Sequence, residues 1–62
     1  MNSEELIFRI ETWTQSDSTD RVLAKVGNLI IAHATFGAAV QAYPTSRIVL
    51  RHHAHVISRH EP

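Results

Sequence analysis

The chain has 62 residues, is 44% hydrophobic, and carries six Lys and Arg residues against six Asp and Glu residues. This apolar content and balanced charge exclude a disordered chain, which needs few apolar residues and a strong charge imbalance. The absence of cysteine excludes disulfides, cysteine-based zinc sites and thiol nucleophiles. We expect residues 1–62 to form one small domain. Because so short a chain buries only about 60% of its unfolded surface, it needs a further source of stability. Idealised packing, a histidine-bound metal and self-association are the sources that remain.

The longest segment without a formal charge, residues 26–46, is interrupted by polar residues, so no membrane span is expected. The start, Met-Asn-Ser-Glu-Glu, is acidic where a signal peptide would be basic. We therefore expect a cytoplasmic protein.

The first predicted strand covers residues 5–14. Three apolar residues alternate there with polar ones: Leu6, Phe8 and Ile10. Arg9 and Glu11 fall on the opposite side, which is typical of a half-buried strand. The six polar residues at 15–20 predict a loop.

Residues 21–26 fit either a strand or a helix. We prefer a strand, because Gly27 inside a helix would cost about 0.5 to 1 kcal/mol relative to alanine. Asn28 is also a good N-cap for a new helix. The polar loop then closes a β-hairpin, and the alternative is one long helix over residues 19–43.

The clearest predicted element is a helix from residue 28 to residue 42 or 43, ended by Pro44. Its apolar residues recur at three- and four-residue spacing. A helical wheel gives a core face centred on four of them and flanked by Ala32 and Ala39. The four central residues are Leu29, Phe36, Val40 and Tyr43.

Residues 47–59 predict two short strands around a turn at His52-His53. This hairpin pairs Val49 with Val56 and Ile48 with Ile57, so that apolar residues lie opposite one another. A single strand over the same residues is the competing interpretation, and the pattern does not separate the two. It would place four residues on one face: Ile48, Leu50, Ala54 and Val56.

The segment Leu-Arg-His-His-Ala-His-Val-Ile at 50–57, with the alanine-rich residues 32–39 and Tyr43-Pro44, resembles a group of short uncharacterised bacterial proteins. Those proteins combine an alanine-rich helix, a proline and a Leu-Arg-x-Gly-Ala-Arg-Val-Ile hairpin. The resemblance implies a bacterial source and brings no activity with it. His53 stands where the group has glycine, which weakens a tight turn because His adopts a positive φ less readily.

Together these elements predict an α+β fold in the order β-β-α-β-β, with a small antiparallel sheet and one helix packed on one face. The runner-up arrangement is strand-helix-strand, with or without a last strand, built around the long helix 19–43.

The face of the helix opposite the predicted core carries no charged residue, although a helix on a single sheet normally turns Lys and Glu to water. We therefore expect a homodimer that buries this face. Its predicted interface residues are Ile31, Ala34, Thr35, Ala38 and Ala42, with Ile30 and Gln41 alongside. An exposed helix rich in alanine for its propensity is the alternative.

Four of the five histidines lie in the last eleven residues. His53 and His55 have the spacing of two metal ligands on one side of a strand, but no third ligand is fixed by the sequence. Arg51 joins them in a second interpretation, a ligand site for metal or nucleic acid on the C-terminal hairpin. We favour a solvated hairpin tip and expect no bound metal.

Arg47, Arg51 and Arg59 could form a basic strip, but a nucleic-acid-binding domain usually has a pI above about 9, and this chain has no net charge. Binding to nucleic acid is therefore not expected. No serine lies in a triad-like context and no glycine-rich phosphate loop is present, so we expect neither an enzyme nor a cofactor. The best interpretation is a small homodimeric interaction module, and the sequence points to no other protein partner.

Overall fold

The computed structural model describes residues 7–62. Four strands and one helix follow in chain order: β1 (Phe8–Trp13), β2 (Thr19–Val26), α1 (Leu29–Ala42), β3 (Arg47–His52) and β4 (His55–His60). The strands form one antiparallel sheet in the order β2-β1-β3-β4. The helix packs on one face of it, so the predicted α+β fold is confirmed. The long helix over 19–43 is wrong, since residues 19–26 form β2. Leu6 of the predicted first strand lies outside the described residues.

The first hairpin is confirmed, but its loop is shorter than the predicted 15–20, because Thr19 and Asp20 already belong to β2. The backbone amide of Thr14 donates to the Ser18 carbonyl at 2.8 Å and closes the turn. Asp17 takes the left-handed conformation, with φ at 63°. Aspartate tolerates this conformation because its short side chain can hydrogen-bond locally.

The helix α1 begins and ends where the sequence predicts. The Asn28 side chain accepts a hydrogen bond from the backbone amide of Ile31 at 3.1 Å, which confirms it as the N-cap. At the other end, the amide of Tyr43 donates to the carbonyl of Ala39 at 2.9 Å. Tyr43 itself has non-helical φ and ψ, directly before Pro44.

The core lies between α1 and the two central strands. Its buried apolar side chains are Ile10, Ala32, Ala39, Ile48 and Leu50. Phe36 and Val40 pack against this cluster while remaining half-buried. The helix therefore meets the sheet through two buried alanines, Ala32 and Ala39, with the larger side chains of Phe36 and Val40 beside them.

The predicted centre of the core face is wrong at two of its four residues. Leu29 and Tyr43 are 41% and 40% exposed, respectively. The helix is rotated by about 40° from the predicted orientation, so that Ala32 and Ala39 lie nearer the middle of the buried face. Tyr43 leaves the helical path as the C-cap, and its ring lies under the Arg21 guanidinium, 5.5 Å from the ring centroid.

The C-terminal hairpin is confirmed, and the single strand over residues 47–59 is wrong. The turn is at His53-Ala54, one residue later than predicted, and His53 has φ at 53°. His53 thus adopts the left-handed conformation, which glycine takes at the lowest energetic cost.

The predicted strand register of this hairpin is wrong as well. Ile48 pairs with His60 and Val49 with Arg59, rather than with Ile57 and Val56. The later turn shifts the pairing, and an irregularity between Leu50 and Arg51 adds a further residue on β4. Apolar pairing across two strands cannot anticipate a bulge, because a bulge places two residues opposite one.

Candidate functional site

The side of α1 turned away from the sheet is not covered by any other described element. Of the predicted interface residues, Ile31 is 56% exposed and three alanines are exposed as well. Those alanines are Ala34, Ala38 and Ala42. Thr35 is half-buried, and its hydroxyl donates to the carbonyl of Ile31 at 2.8 Å. The exposed side of the helix thus presents small and aliphatic groups without a charge.

Ile30 is 81% exposed and contributes more to this surface than its predicted place beside the interface residues implies. The rotation of the helix brings it close to the middle of the exposed side, in line with Ala34, Gly37 and Gln41 at spacings of four, three and four residues. This spacing can be read from the sequence, and it could have placed Ile30 on the exposed side of the helix. We use the name outer face of α1 for the residues Ile30, Ile31, Ala34, Gly37, Ala38 and Gln41, all of which are exposed.

The first turn of α1 adds to this surface. Leu29, Ile30 and Ile31 are three consecutive large aliphatic residues, each more than a third exposed. Isolated exposed aliphatic side chains are ordinary on protein surfaces, whereas consecutive ones are rare outside functional surfaces. The outer face of α1 is therefore the leading apolar candidate surface.

On the other side of the sheet, Glu11 of β1 is a fully buried carboxylate. Arg51 donates to both of its oxygens, from Nε to Oε1 at 2.8 Å and from Nη2 to Oε2 at 3.0 Å. Trp13 Nε1 and Thr19 Oγ1 also donate to Oε1, at 2.9 and 3.0 Å. Arg9 Nη1 lies 3.8 Å from Oε2. Side chains from three strands, β1, β2 and β3, thus donate hydrogen bonds to the Glu11 carboxylate.

These contacts set the charge state of Glu11. Burial alone would raise the pKa of the carboxyl, but hydrogen bonds from Arg51, Trp13 and Thr19 outweigh it, so the pKa lies below its ordinary value of 4.5. The hydrogen bond to Glu11 in turn raises the pKa of Arg51. Both groups stay ionised at neutral pH, and the pair stabilises the sheet instead of exchanging protons.

The three residues predicted as a ligand site are only partly brought together. Arg51 and His53 line one cavity, whereas His55 begins β4 and is not among the residues that line it. The His53 ring lies beside that of His52, with 4.5 Å between the ring centroids. Within residues 7–62, no group of three or more His, Cys, Asp or Glu side chains is placed to hold a metal ion.

The candidate basic strip is largely neutralised within the chain. Arg47 pairs with Asp17 at 2.8 Å and with Glu61 at 2.9 Å. These partners raise the pKa of Arg47, with the hydrogen bond to Glu61 as the largest cause. Arg51 is held by Glu11, so of the three arginines only Arg59 shows no such pairing with a described carboxylate. The strip is not a continuous positive surface.

Comparisons with models of protein families, with curated proteins and with solved structures find no match to this chain. No helix in the described part of the chain has both the length and the apolar character needed to cross a bilayer.

Proposed function

We propose that this protein is a small interaction module that forms a homodimer through the outer face of α1. The observation that carries the proposal is the exposure of Ile30 and Ile31, at 81% and 56%, on a helix side without a charge. The proposal keeps the setting expected from the sequence, a bacterial cytoplasm.

Burial of the exposed aliphatic run supplies the driving force. Each square ångström of apolar surface removed from water contributes about 25 cal/mol. The fully buried large apolar side chains of the described residues are Ile10, Ile48 and Leu50. A chain with so small a core gains proportionally more from a second apolar contact than a larger domain would.

The chemistry of the outer face favours a second copy of this chain as its occupant. Small residues at Ala34, Gly37 and Ala38 let another helix backbone approach closely, and the helix is about 21 Å long. The outer face carries no Asp, Glu, Lys or Arg, so it offers no charge with which a charged partner could pair. Two copies with no net charge also meet without long-range repulsion. In a twofold dimer the same patch serves both subunits.

The test is the solution mass at micromolar concentration, measured by light scattering and sedimentation equilibrium. We expect twice the chain mass of 7.0 kDa. Ile30→Glu introduces a charge at the centre of the outer face and should return the mass to that of one chain. His33→Glu is the matched control, because His33 is an exposed residue of the same helix outside that face. A wild-type mass of one chain, or equal loss of the dimer in both variants, would contradict the proposal.

A further inference from the structure

Three cationic residues lie side by side across three neighbouring strands. Arg9 of β1 pairs with Lys25 of β2 on one side and with Arg51 of β3 on the other. Neighbouring strands are about 4.8 Å apart, so the three backbone positions fall within about 10 Å. Register partners project from the same face of a sheet, and this is the face that also carries Glu11, opposite α1. Like charges placed directly opposite destabilise a sheet.

Glu11 balances only part of this charge. It accepts two hydrogen bonds from Arg51 and lies 3.8 Å from Arg9, but no described carboxylate forms an ion pair with Lys25. Three cations against one carboxylate leave two positive charges over among the described residues. We use the name cation row for Lys25, Arg9 and Arg51.

A cavity of about 450 Å³ opens over the cation row. Its lining consists of the row itself with Ile7 and His53. Glu11 is fully buried and is not part of the lining. Among residues 7–62, the groups that a ligand would meet in this cavity are positive, aromatic or apolar, and none is a carboxylate.

Hydrogen bonds within the protein hold the Arg51 guanidinium of the cation row in place. Arg51 uses its Nε and one Nη2 hydrogen on Glu11, and Nη1 donates to the carbonyl of His53 at 2.6 Å. Since a guanidinium has five N–H donors, one remains on each terminal nitrogen. Arg9 and Lys25 have side chains at least partly exposed and can turn their own donors toward the cavity. A guanidinium held in this way binds an anion with little loss of side-chain freedom.

We propose that the cation row binds the phosphate monoester group of a small molecule. Such a group carries about −1.5 to −2 charges at neutral pH, which matches the two positive charges left over. Its oxygens accept charge-assisted hydrogen bonds from both guanidinium and ammonium groups. The phosphodiester of a nucleic acid carries only one negative charge per phosphate, so it would compensate only one of the two surplus positive charges of the cation row. This site goes beyond the proposed dimer, because it lies on the other side of the sheet from α1.

The experiment is an NMR titration of the ¹⁵N-labelled full chain with glycerol phosphate and with inorganic phosphate, at constant ionic strength maintained with chloride. At about pH 7.5 both probes are mainly dianions, since their second pKa is near 6 or 7. We expect saturable shifts of the Arg9 and Arg51 side-chain Nε–H signals. Lys25→Gln and Arg9→Gln should each weaken binding at least about tenfold, because each removes a charge-assisted contact.

Arg59→Gln is the matched control, since it removes a cation from β4 outside the cation row. It should leave binding unchanged, and so should Ile30→Glu, which separates this site from the dimer. Three results would overturn the proposal: no saturable shift with either probe at millimolar concentration, equal weakening in Arg59→Gln, or tighter binding of duplex DNA than of the monoester. Because the wild-type shifts locate the site by themselves, a variant that fails to fold does not remove the test.

Discussion

Arg51 holds the buried carboxylate of Glu11 with two parallel hydrogen bonds of 2.8 and 3.0 Å, although the residues are forty positions apart in the chain. The pair joins the two central strands, β1 and β3, on the face that α1 does not cover. Trp13 and Thr19 complete the coordination of the same carboxylate. A buried charge satisfied from three strands fixes how those strands lie against one another.

We expect Glu11→Gln to lower the free energy of unfolding by about 2 kcal/mol or more. The substitution removes the negative charge that pairs with Arg51, so none of the three cations of the cation row keeps an ion pair with Glu11. This loss is costly because Glu11 is buried. Urea unfolding at neutral pH measures the loss. The control is Glu61→Gln, which removes an exposed partner of Arg47 and should cost less than about 1 kcal/mol. Equal effects of the two substitutions would show that the Glu11 contacts contribute no more than a surface pair.

The lowered pKa of Glu11 predicts how stability changes with acidity. Since the pKa is lower in the folded state, the folded form binds the proton less readily than the unfolded form. The stabilisation is therefore complete above the ordinary value of 4.5 and is lost as the pH falls below it. Unfolding measured from pH 7 downward should show the stability gap between wild type and Glu11→Gln narrowing in this range. A gap that stays constant, or that widens on acidification, contradicts the assignment.

The N-cap of α1 gives a third expectation. Asn28→Ala leaves the Ile31 amide without its side-chain acceptor and should cost about 1 kcal/mol of stability. Asn28→Asp keeps an acceptor oxygen and should retain most of that stability. Thermal unfolding followed by circular dichroism compares the two variants. If alanine and aspartate behave alike, the hydrogen bond seen at this cap does not stabilise the helix.

The turn between β3 and β4 leads to a fourth prediction about stability. His53 has φ at 53°, a conformation that costs a residue with a side chain roughly 1 kcal/mol and glycine much less. We expect His53→Gly to raise the free energy of unfolding by up to about that amount. Ala54→Gly is the control, because Ala54 does not have a positive φ, and it should bring no gain. A loss of stability in His53→Gly would mean that contacts of the His53 side chain outweigh the backbone strain.

Local patterns in the sequence predicted β1 and α1 directly, whereas residues 21–26 and 47–59 each fitted two interpretations. Alternation in β1, the N-cap at Asn28 and the stop at Pro44 each depend on residues close in the chain, and each is confirmed or nearly so. The register of β3 and β4 could not be predicted, because the turn begins one residue later than expected and a bulge then places two residues of β4 opposite one.

The candidate sites likewise divide into one that local sequence indicates and one that depends on contacts between distant strands. The uncharged outer face of α1 follows from helical periodicity, so the sequence indicates it directly, apart from the rotation that makes Ile30 central. The cation row depends on β1 lying between β2 and β3, which no local pattern reveals. Glu11 looks solvent-facing by alternation, and its burial depends on Arg51, forty residues away.

The strand order also determines which strands lie at the edges of the sheet, where a strand of another chain could add. The order β2-β1-β3-β4 places at the two borders of the sheet the strands that carry Asp20, Arg21 and Lys25 on one side and Arg59 with two histidines on the other. Each border strand also has a register irregularity against its neighbour. Charges and bulges at a border oppose the docking of a further strand, and so protect a small sheet from growing into an aggregate. Pairing of the backbones of two copies is thus disfavoured at both edges of the sheet. Two copies can still associate through side chains, as proposed for the outer face of α1.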